Sequence, residues 1–300
     1  MSSPLRMRHL DVLLAVAAEG SMQRAAQRVH LTQPAISKLV REMETMFGAT
    51  LFERSKRGVM LTESGRALAI RAEYLRNDMD NAREEVAAIA RGTLGSLRIG
   101  ALPVAESRLL PKSLMALRRI APDLRVRVHD GTGAALLGSL RRGELDCVIG
   151  RLDSRADGKD LVAEKLLRLP TRIVARRQHP LAAKRRLRPE DLASYPWVLP
   201  QPGAPIRTVI DGIFAAAGIA APVPIVESTS IRLNYELVRS SDMIGVMPDD
   251  AATAYKADRA LAILSFELGD RLPYVGVMRR TAPPSHALSL FLRLLRETCG

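Results

Sequence analysis

Cysteine is scarce in this chain of 300 residues: Cys147 lies in the apolar run Leu145-Asp146-Cys147-Val148-Ile149, and Cys299 is the penultimate residue. Two thiols so placed exclude a disulfide scaffold, and a reducing cytoplasm is the expected compartment. Cys147 reads as a small buried hydrophobe. Long apolar runs are missing as well. The early run Val12 to Ala18 falls far short of the roughly 20 residues that cross a bilayer. No uninterrupted apolar core leads to a small-residue cleavage site, so neither a membrane partner nor a secretory signal is expected. His9, His30, His129, His179 and His286 are scattered without zinc-ligand spacing. There is no G-x-S-x-G elbow and no P-loop. Gly131-Thr132-Gly133 has Leu136 where a dinucleotide fingerprint needs its last glycine, and a strand-to-helix turn explains it. No cofactor, metal or catalytic residue is therefore expected. Aromatics make up only 4%, which leaves few platforms on which single-stranded bases could stack.

What is present is an ordinary globular composition, 47% apolar and 26% charged, at a length that favours two or more domains. Its 45 Lys/Arg against 32 Asp/Glu give a net charge of +13, which suits a polyanionic partner. The first 66 residues hold ten Lys/Arg and six Asp/Glu, and the rest of the excess includes Arg118-Arg119, Arg141-Arg142, Arg176-Arg177 and Arg279-Arg280. Charge alone does not single out one end of the chain.

Periodicity divides the sequence into three zones. From Met7 to about Gly48 the pattern predicts three short helices, separated by Gly20-Ser21 and by His30-Leu31-Thr32. From Thr62 to about Arg91, Leu68, Ala72, Leu75, Met79, Ala82, Val86 and Ile89 recur at steps of four and three. That is a heptad seam along a helix about 40 Å long. It reads as a dimerising helix or as an amphipathic helix packed on its own domain. From Leu94 onward, strand-like runs at Ser96–Ala101, Leu124–Val128, Cys147–Gly150, Thr171–Ala175, Trp197–Leu199, Pro224–Val226, Met243–Met247 and Tyr274–Met278 alternate with helical ones. Such alternation predicts parallel sheets faced by helices, in two similar α/β lobes with the final helix, Leu288–Glu297, returning. Ligands in such folds bind beyond the carboxyl ends of the strands, near helix N-termini.

Residues 21–44 carry the most specific pattern. Ser21 is suited to cap a helix from Met22 to Val29, and Ala25-Ala26 are small where a second helix must cross. Thr32 caps the next helix, with Pro34 in its first turn. Ile36, Leu39, Val40 and Met43 form that helix's buried face, leaving Gln33, Ser37, Lys38 and Arg41 exposed. This arrangement suits insertion into a major groove. Gln33 can offer donor and acceptor to an adenine edge, Thr32 and Ser37 can reach bases or phosphates, and Lys38 and Arg41 fit phosphate anchors. By spacing alone, a plain helical hairpin with polar caps remains an alternative. The following Leu51 to Thr62 places two apolar runs around a basic turn with Gly58, a hairpin or wing; Arg54, Lys56 and Arg57 on it would meet phosphates or the minor groove.

The run from Leu10 to Gly65 resembles the winged helix-turn-helix of LysR-type transcriptional regulators. The matching residues are Ala25-Ala26, Gln33-Pro34-Ala35-Ile36-Ser37, Glu44, Leu51-Phe52-Glu53-Arg54, Arg57-Gly58 and Leu61-Thr62-Glu63-Ser64-Gly65. Met22 and Met43 stand where the family usually has Phe and Leu. The order of parts is similar too, so the expected fold class is α/β with an α-rich winged helix-turn-helix N-terminal domain. The expected domains are a DNA-binding domain at 1–62, a linker and dimerisation helix at 63–91, and a regulatory domain at 92–300. The last resembles type 2 periplasmic binding proteins, with lobe I at about 92–165 and 268–300 and lobe II at about 166–267.

The resemblance implies a bacterial homo-oligomer, commonly a dimer of dimers, on a pseudo-palindromic double-stranded promoter site, with RNA polymerase as a further partner. It also implies a small-molecule effector in the cleft that changes the placement of the DNA-binding domains. Candidate effector contacts are Ala101, Pro103, Thr132, Arg151, Gln201, Gly203, Ser228, Thr229 and Pro248, all in loops that follow strands. Helix N-termini with Thr132, Ser228, Thr229 and Arg151 suit a small organic anion; a neutral sugar-like ligand, or none, is the alternative. A solute-binding protein or an enzyme built on the two-lobed part alone has no use for a basic wing and a heptad helix.

Overall fold

The computed structural model describes residues 4–55, 58–152, 160–268 and 272–299. They form two compact units, one comprising the chain up to Gly95 with Arg141–Glu144, the other Ser96–Leu140 with Leu145 onward.

In the first unit, α1 (Met7–Glu19), α2 (Met22–Arg28) and α3 (Gln33–Phe47) precede a hairpin of β1 (Phe52–Ser55) and β2 (Gly58–Leu61) and the long α4 (Glu63–Ala90). Local chemistry sets each boundary. Ser21 Oγ accepts from the Arg24 amide and Thr32 Oγ1 from the Ala35 amide, each closing a helix N-terminus. Thr62 Oγ1 accepts from the Gly65 amide and donates to the Thr50 carbonyl. Ala25 and Ala26 are buried, and their small size lets α2 cross its neighbours closely. Ile36, Val40 and Met43 lock α3 onto Leu10, Leu13 and Val16 of α1 in one core; each such burial stabilises by about 1.5–3 kcal/mol. Two glycines are required by close approach. A Cβ on Gly58 would stand 2.4 Å from the Gly20 carbonyl oxygen, and one on Gly65 would stand 2.0 Å from that of Leu51.

Helix α4 divides the heptad seam. Ala72 is fully buried and Leu68 packs against the same core, so these two serve their own domain. Leu75, Met79, Val86 and Ile89 are between 42% and 69% exposed, and Ala82 is exposed with them.

The second unit holds two five-stranded sheets. The first has the order β4-β3-β5-β12-β6, formed by β3 (Ser96–Ala101), β4 (Arg125–Asp130), β5 (Cys147–Arg151), β6 (Leu161–Leu167) and β12 (Val275–Arg280). The second has the order β11-β7-β10-β8-β9, formed by β7 (Thr171–Arg176), β8 (Trp197–Leu199), β9 (Val226–Glu227), β10 (Ile244–Pro248) and β11 (Leu261–Ile263). The helices are α5 (Pro103–Glu106), α6 (Leu109–Ile120), α7 (Gly133–Arg141), α8 (Pro189–Ala193), α9 (Pro205–Ala216), α10 (Ile231–Arg239), α11 (Asp249–Ala257) and α12 (His286–Cys299).

The expected parallel sheets are corrected to mixed ones. β3, β4 and β5 pair in parallel, as do β8, β9 and β10. β12 runs antiparallel to β5 and β6, and β7 antiparallel to β10 and β11. The chain passes between the sheets after β6 and again before β12, and strands arriving from the other sheet join the parallel trio in the opposite sense. Among the described residues no helix is long and apolar enough to cross a membrane, and no group of three or more His, Cys, Asp and Glu side chains is gathered to hold a metal ion.

Candidate functional sites

The first site is a shallow face on the N-terminal unit. A crevice of about 800 Å³ is lined by Ser21, Arg24, Gln33, Ser37 and Arg41, together with Glu53 and Gly58 of the hairpin. Gln33, Ser37 and Arg41 recur at a spacing of four along α3 and so share one side of the helix. The Arg41 guanidinium donates to the Ser37 carbonyl at 3.2 Å, which holds it along the helix. Lys38 is 76% exposed beside Glu42, 3.9 Å away, and lies outside that lining, as do Thr32 and Pro34 at the helix start. The hairpin is tied to the helices at two points. The Val59 amide donates to the Gly20 carbonyl at 2.9 Å. Glu44 Oε1 accepts from the amides of Leu51 and Phe52 at 2.8 and 3.4 Å. Arg54 is placed by its backbone, opposite Val59, whereas Lys56 and Arg57 lie outside the described residues.

The second site lies in the C-terminal unit, beyond the ends of β3, β8, β9 and β10. A cavity of about 130 Å³ is lined largely by apolar groups, among them Leu102, Val104, Ile206 and Val246, with Arg151, Thr171, Ser228, Thr229 and Asn234 as polar members and, among the described residues, no carboxylate. The start of α9, with Pro205 in its first turn, and the start of α10, capped by Ser230, both reach it. Beside it is a larger open crevice of about 1070 Å³, lined by Thr132, Thr229, the cations Arg108 and Arg232 and four carboxylates: Glu106, Asp130, Asp249 and Asp250. Burial, reinforced by Asp130, pushes the Glu106 carboxyl above its ordinary pKa.

The model for bacterial regulatory helix-turn-helix proteins of the lysR family matches residues 7–66, and that for the LysR substrate binding domain matches residues 90–300. The chain belongs to the LysR family of transcriptional regulators. It is 32% identical over 297 residues to the HTH-type transcriptional regulator PcaQ of Agrobacterium fabrum, spanning 99% of this chain and 96% of that protein. To the HTH-type transcriptional regulator GalR of Pseudomonas putida it is 31% identical over 291 residues, spanning 95% and 73%. Among solved structures, full-length CbnR complexed with its target DNA matches with a TM-score of 0.69 at 22% identity, over 98% of this chain and 100% of that one. A full-length OxyR variant from Pseudomonas aeruginosa matches at 0.68 and 25% identity, over 98% and 95%.

Within this LysR fold the sequence-chosen effector residues separate. Pro103, Arg151, Ser228, Thr229 and Pro248 line the smaller cavity, and Thr132 the larger crevice. Ala101 is corrected: its side chain is fully buried in β3. Gln201 and Gly203 are exposed and belong to neither lining.

Arg151 has structural partners as well as a place in the cavity lining. Its guanidinium donates to the carbonyls of Pro273 and Leu169 and to Thr171 Oγ1, at 2.7–3.0 Å. It thereby ties both passages between the sheets. Burial lowers its pKa to about 10, so it remains a cation, but one committed to backbone carbonyls. Sequence reasoning missed Arg24 and Asn234. An i+3 cation after a capping serine was a usable signal for the first. For Asn234, whose Oδ1 is buried without a hydrogen-bond partner, no local signal existed.

Proposed function

We propose that this LysR regulator binds a pseudo-palindromic promoter site as a homo-oligomer, a dimer or a dimer of dimers, with α3 of each subunit in a major groove. The observation that carries this reading is the row Gln33, Ser37 and Arg41 on one side of a capped helix, with Ser21 and the hairpin on the same face. Gln33 reads an adenine edge; Ser37 and Thr32 reach bases or phosphates; Ser21, Lys38, Arg41 and Arg54 hold phosphates; Pro34 starts the helix without an amide to satisfy. Lys56 and Arg57 add two further cations that meet phosphates. The domains are 1–62, 63–91 and 92–300, and Leu75, Met79, Ala82, Val86 and Ile89 supply the dimer contact. The protein works in the cytoplasm without an enzymatic reaction and acts on transcription through RNA polymerase.

The effector is a small organic anion in the smaller cavity, contacted by Pro103, Ser228, Thr229 and Pro248. Support comes from the absence of carboxylates in its lining and from the two helix starts that reach it, which favour negative charge. A gel-shift series on the DNA upstream of its own gene tests the reading. Specific binding should weaken with salt, Gln33→Ala should erase sequence preference, and Arg54→Ala should weaken binding to all sequences alike. Sequence preference that survives Gln33→Ala would remove Gln33 from its reading role.

A further inference from the structure

Asn234 stands out among the described residues as the one whose buried side-chain oxygen has no hydrogen-bond partner. It is 4% exposed, sits in α10 and lines the smaller cavity. The orientation of its amide is fixed by chemistry. Nδ2 donates to the Ser228 carbonyl at 3.3 Å, and a carbonyl can only accept, so the oxygen must be the atom left over. A buried acceptor without a partner is costly, and such a group in a native fold calls for an occupant.

We infer that Asn234 is a specificity-determining residue that accepts a hydrogen bond from a hydroxyl of the effector, which is a compact, ring-sized hydroxy carboxylate. Three features of the site fix that class. Its volume, about 130 Å³, is close to that of an apolar cavity that holds one benzene. Its apolar walls, Val104, Ile206 and Val246 among them, suit a hydrocarbon body. The anion is met at the start of α10, where helix geometry leaves the amides of Ile231 and Arg232 without an intrahelical acceptor. The donor then reaches Asn234 Oδ1, one turn further along the same helix. This inference rests on the proposal that the cavity takes an organic anion.

Calorimetric titration of the full-length protein with benzoate, the three monohydroxybenzoates and phenol tests both levels. At least one hydroxybenzoate should bind roughly tenfold or more tighter than benzoate, the penalty expected when a buried acceptor is left unpaired. Phenol, which lacks the anion, should bind more weakly than that hydroxybenzoate. Asn234→Leu, close in volume, should bring the hydroxybenzoate and benzoate affinities together. If every acid binds alike in the wild type, or the preference persists in Asn234→Leu, the role of Asn234 is overturned while the anion reading stands. If phenol alone binds, or none of the acids does, the anion reading itself is overturned and the inference falls with it. The wild-type comparison decides the matter even if the variant fails to fold.

Discussion

Glu44 holds α3 and the hairpin in one piece. Its Oε1 takes the amides of Leu51 and Phe52, which otherwise lack an acceptor where the chain turns into β1. Glu44→Ala should cost about 1–3 kcal/mol, the penalty for unpaired amides, whereas Glu44→Gln keeps a carbonyl oxygen and should stay near the wild type. Urea unfolding of the two variants checks this; equal losses would mean that charge, not acceptance, is what matters.

His179 offers a pH test. It is buried, with Nδ1 accepting from the Leu181 amide and Nε2 facing the Asp242 carbonyl, an arrangement for a neutral ring. Burial holds its pKa below the ordinary 6.5, outweighing the pull of Asp242. Below pH 6.5 the unfolded chain takes up this proton more readily than the folded one. Stability is therefore full above that pH and declines as pH falls toward the folded pKa. His179→Gln should show a smaller drop in melting temperature between pH 7.5 and 5.5 than the wild type. An identical drop would show that other groups set the acid sensitivity. At this scale the caps Ser21 and Thr32 were legible in sequence because capping is local. The bonding of Arg151 was not, because its acceptors, Leu169 and Pro273, are set by the crossing of distant segments.

At the scale of elements, α4 changes partner along its length. Its first turns are committed to the N-terminal core through Leu68, Ala69 and Ala72, and its later seam is exposed at Leu75, Met79, Val86 and Ile89. A charge at Val86 would be placed in the proposed dimer contact without touching the N-terminal core. Val86→Glu should convert the protein to monomer in sedimentation at micromolar concentration with little change in melting of the monomeric fold. Ala72→Leu should instead damage the N-terminal unit, since Ala72 is fully buried and overpacking typically costs about 1–3 kcal/mol. If Val86→Glu stays dimeric, the seam is not the contact.

Sequence periodicity located α1 to α4 and the strands β3, β5, β7 and β10, each of which carries a short run of apolar residues. It did not find β6, β11 or α11. β6 carries Glu164 and Lys165, Glu164 bonded by Arg296 of α12, and it becomes a strand by pairing with β12 more than a hundred residues later. α11 buries Ala251 and Ala252, too little apolar surface to register as a helical stripe.

At the scale of the molecule, the net charge of +13 is not concentrated in the N-terminal unit, so association with DNA should combine a general and a specific component. Removing Lys38, an exposed cation outside the reading face, should lower affinity for all sequences alike and reduce the slope of log affinity against log salt by about one. Gln33→Ala should leave that slope unchanged. A slope that shifts with Gln33 and not with Lys38 would exchange their roles. The division of labour between units was legible because each half carries its own pattern: caps and small residues in the first 66 positions, alternating strands and helices after Leu94. The two C-terminal crevices were less legible, because each draws its lining from segments far apart in sequence.

The most direct test of the central claim, that paired subunits set two copies of α3 into one duplex, is a hydroxyl-radical footprint of the full-length protein on its upstream DNA, wild type beside Val86→Glu. Two protected half-sites are expected on one face of the helix, separated by whole turns, both lost in the variant at concentrations where the wild type is saturated. A single protected half-site, or a two-part footprint that Val86→Glu leaves unchanged, would contradict that claim.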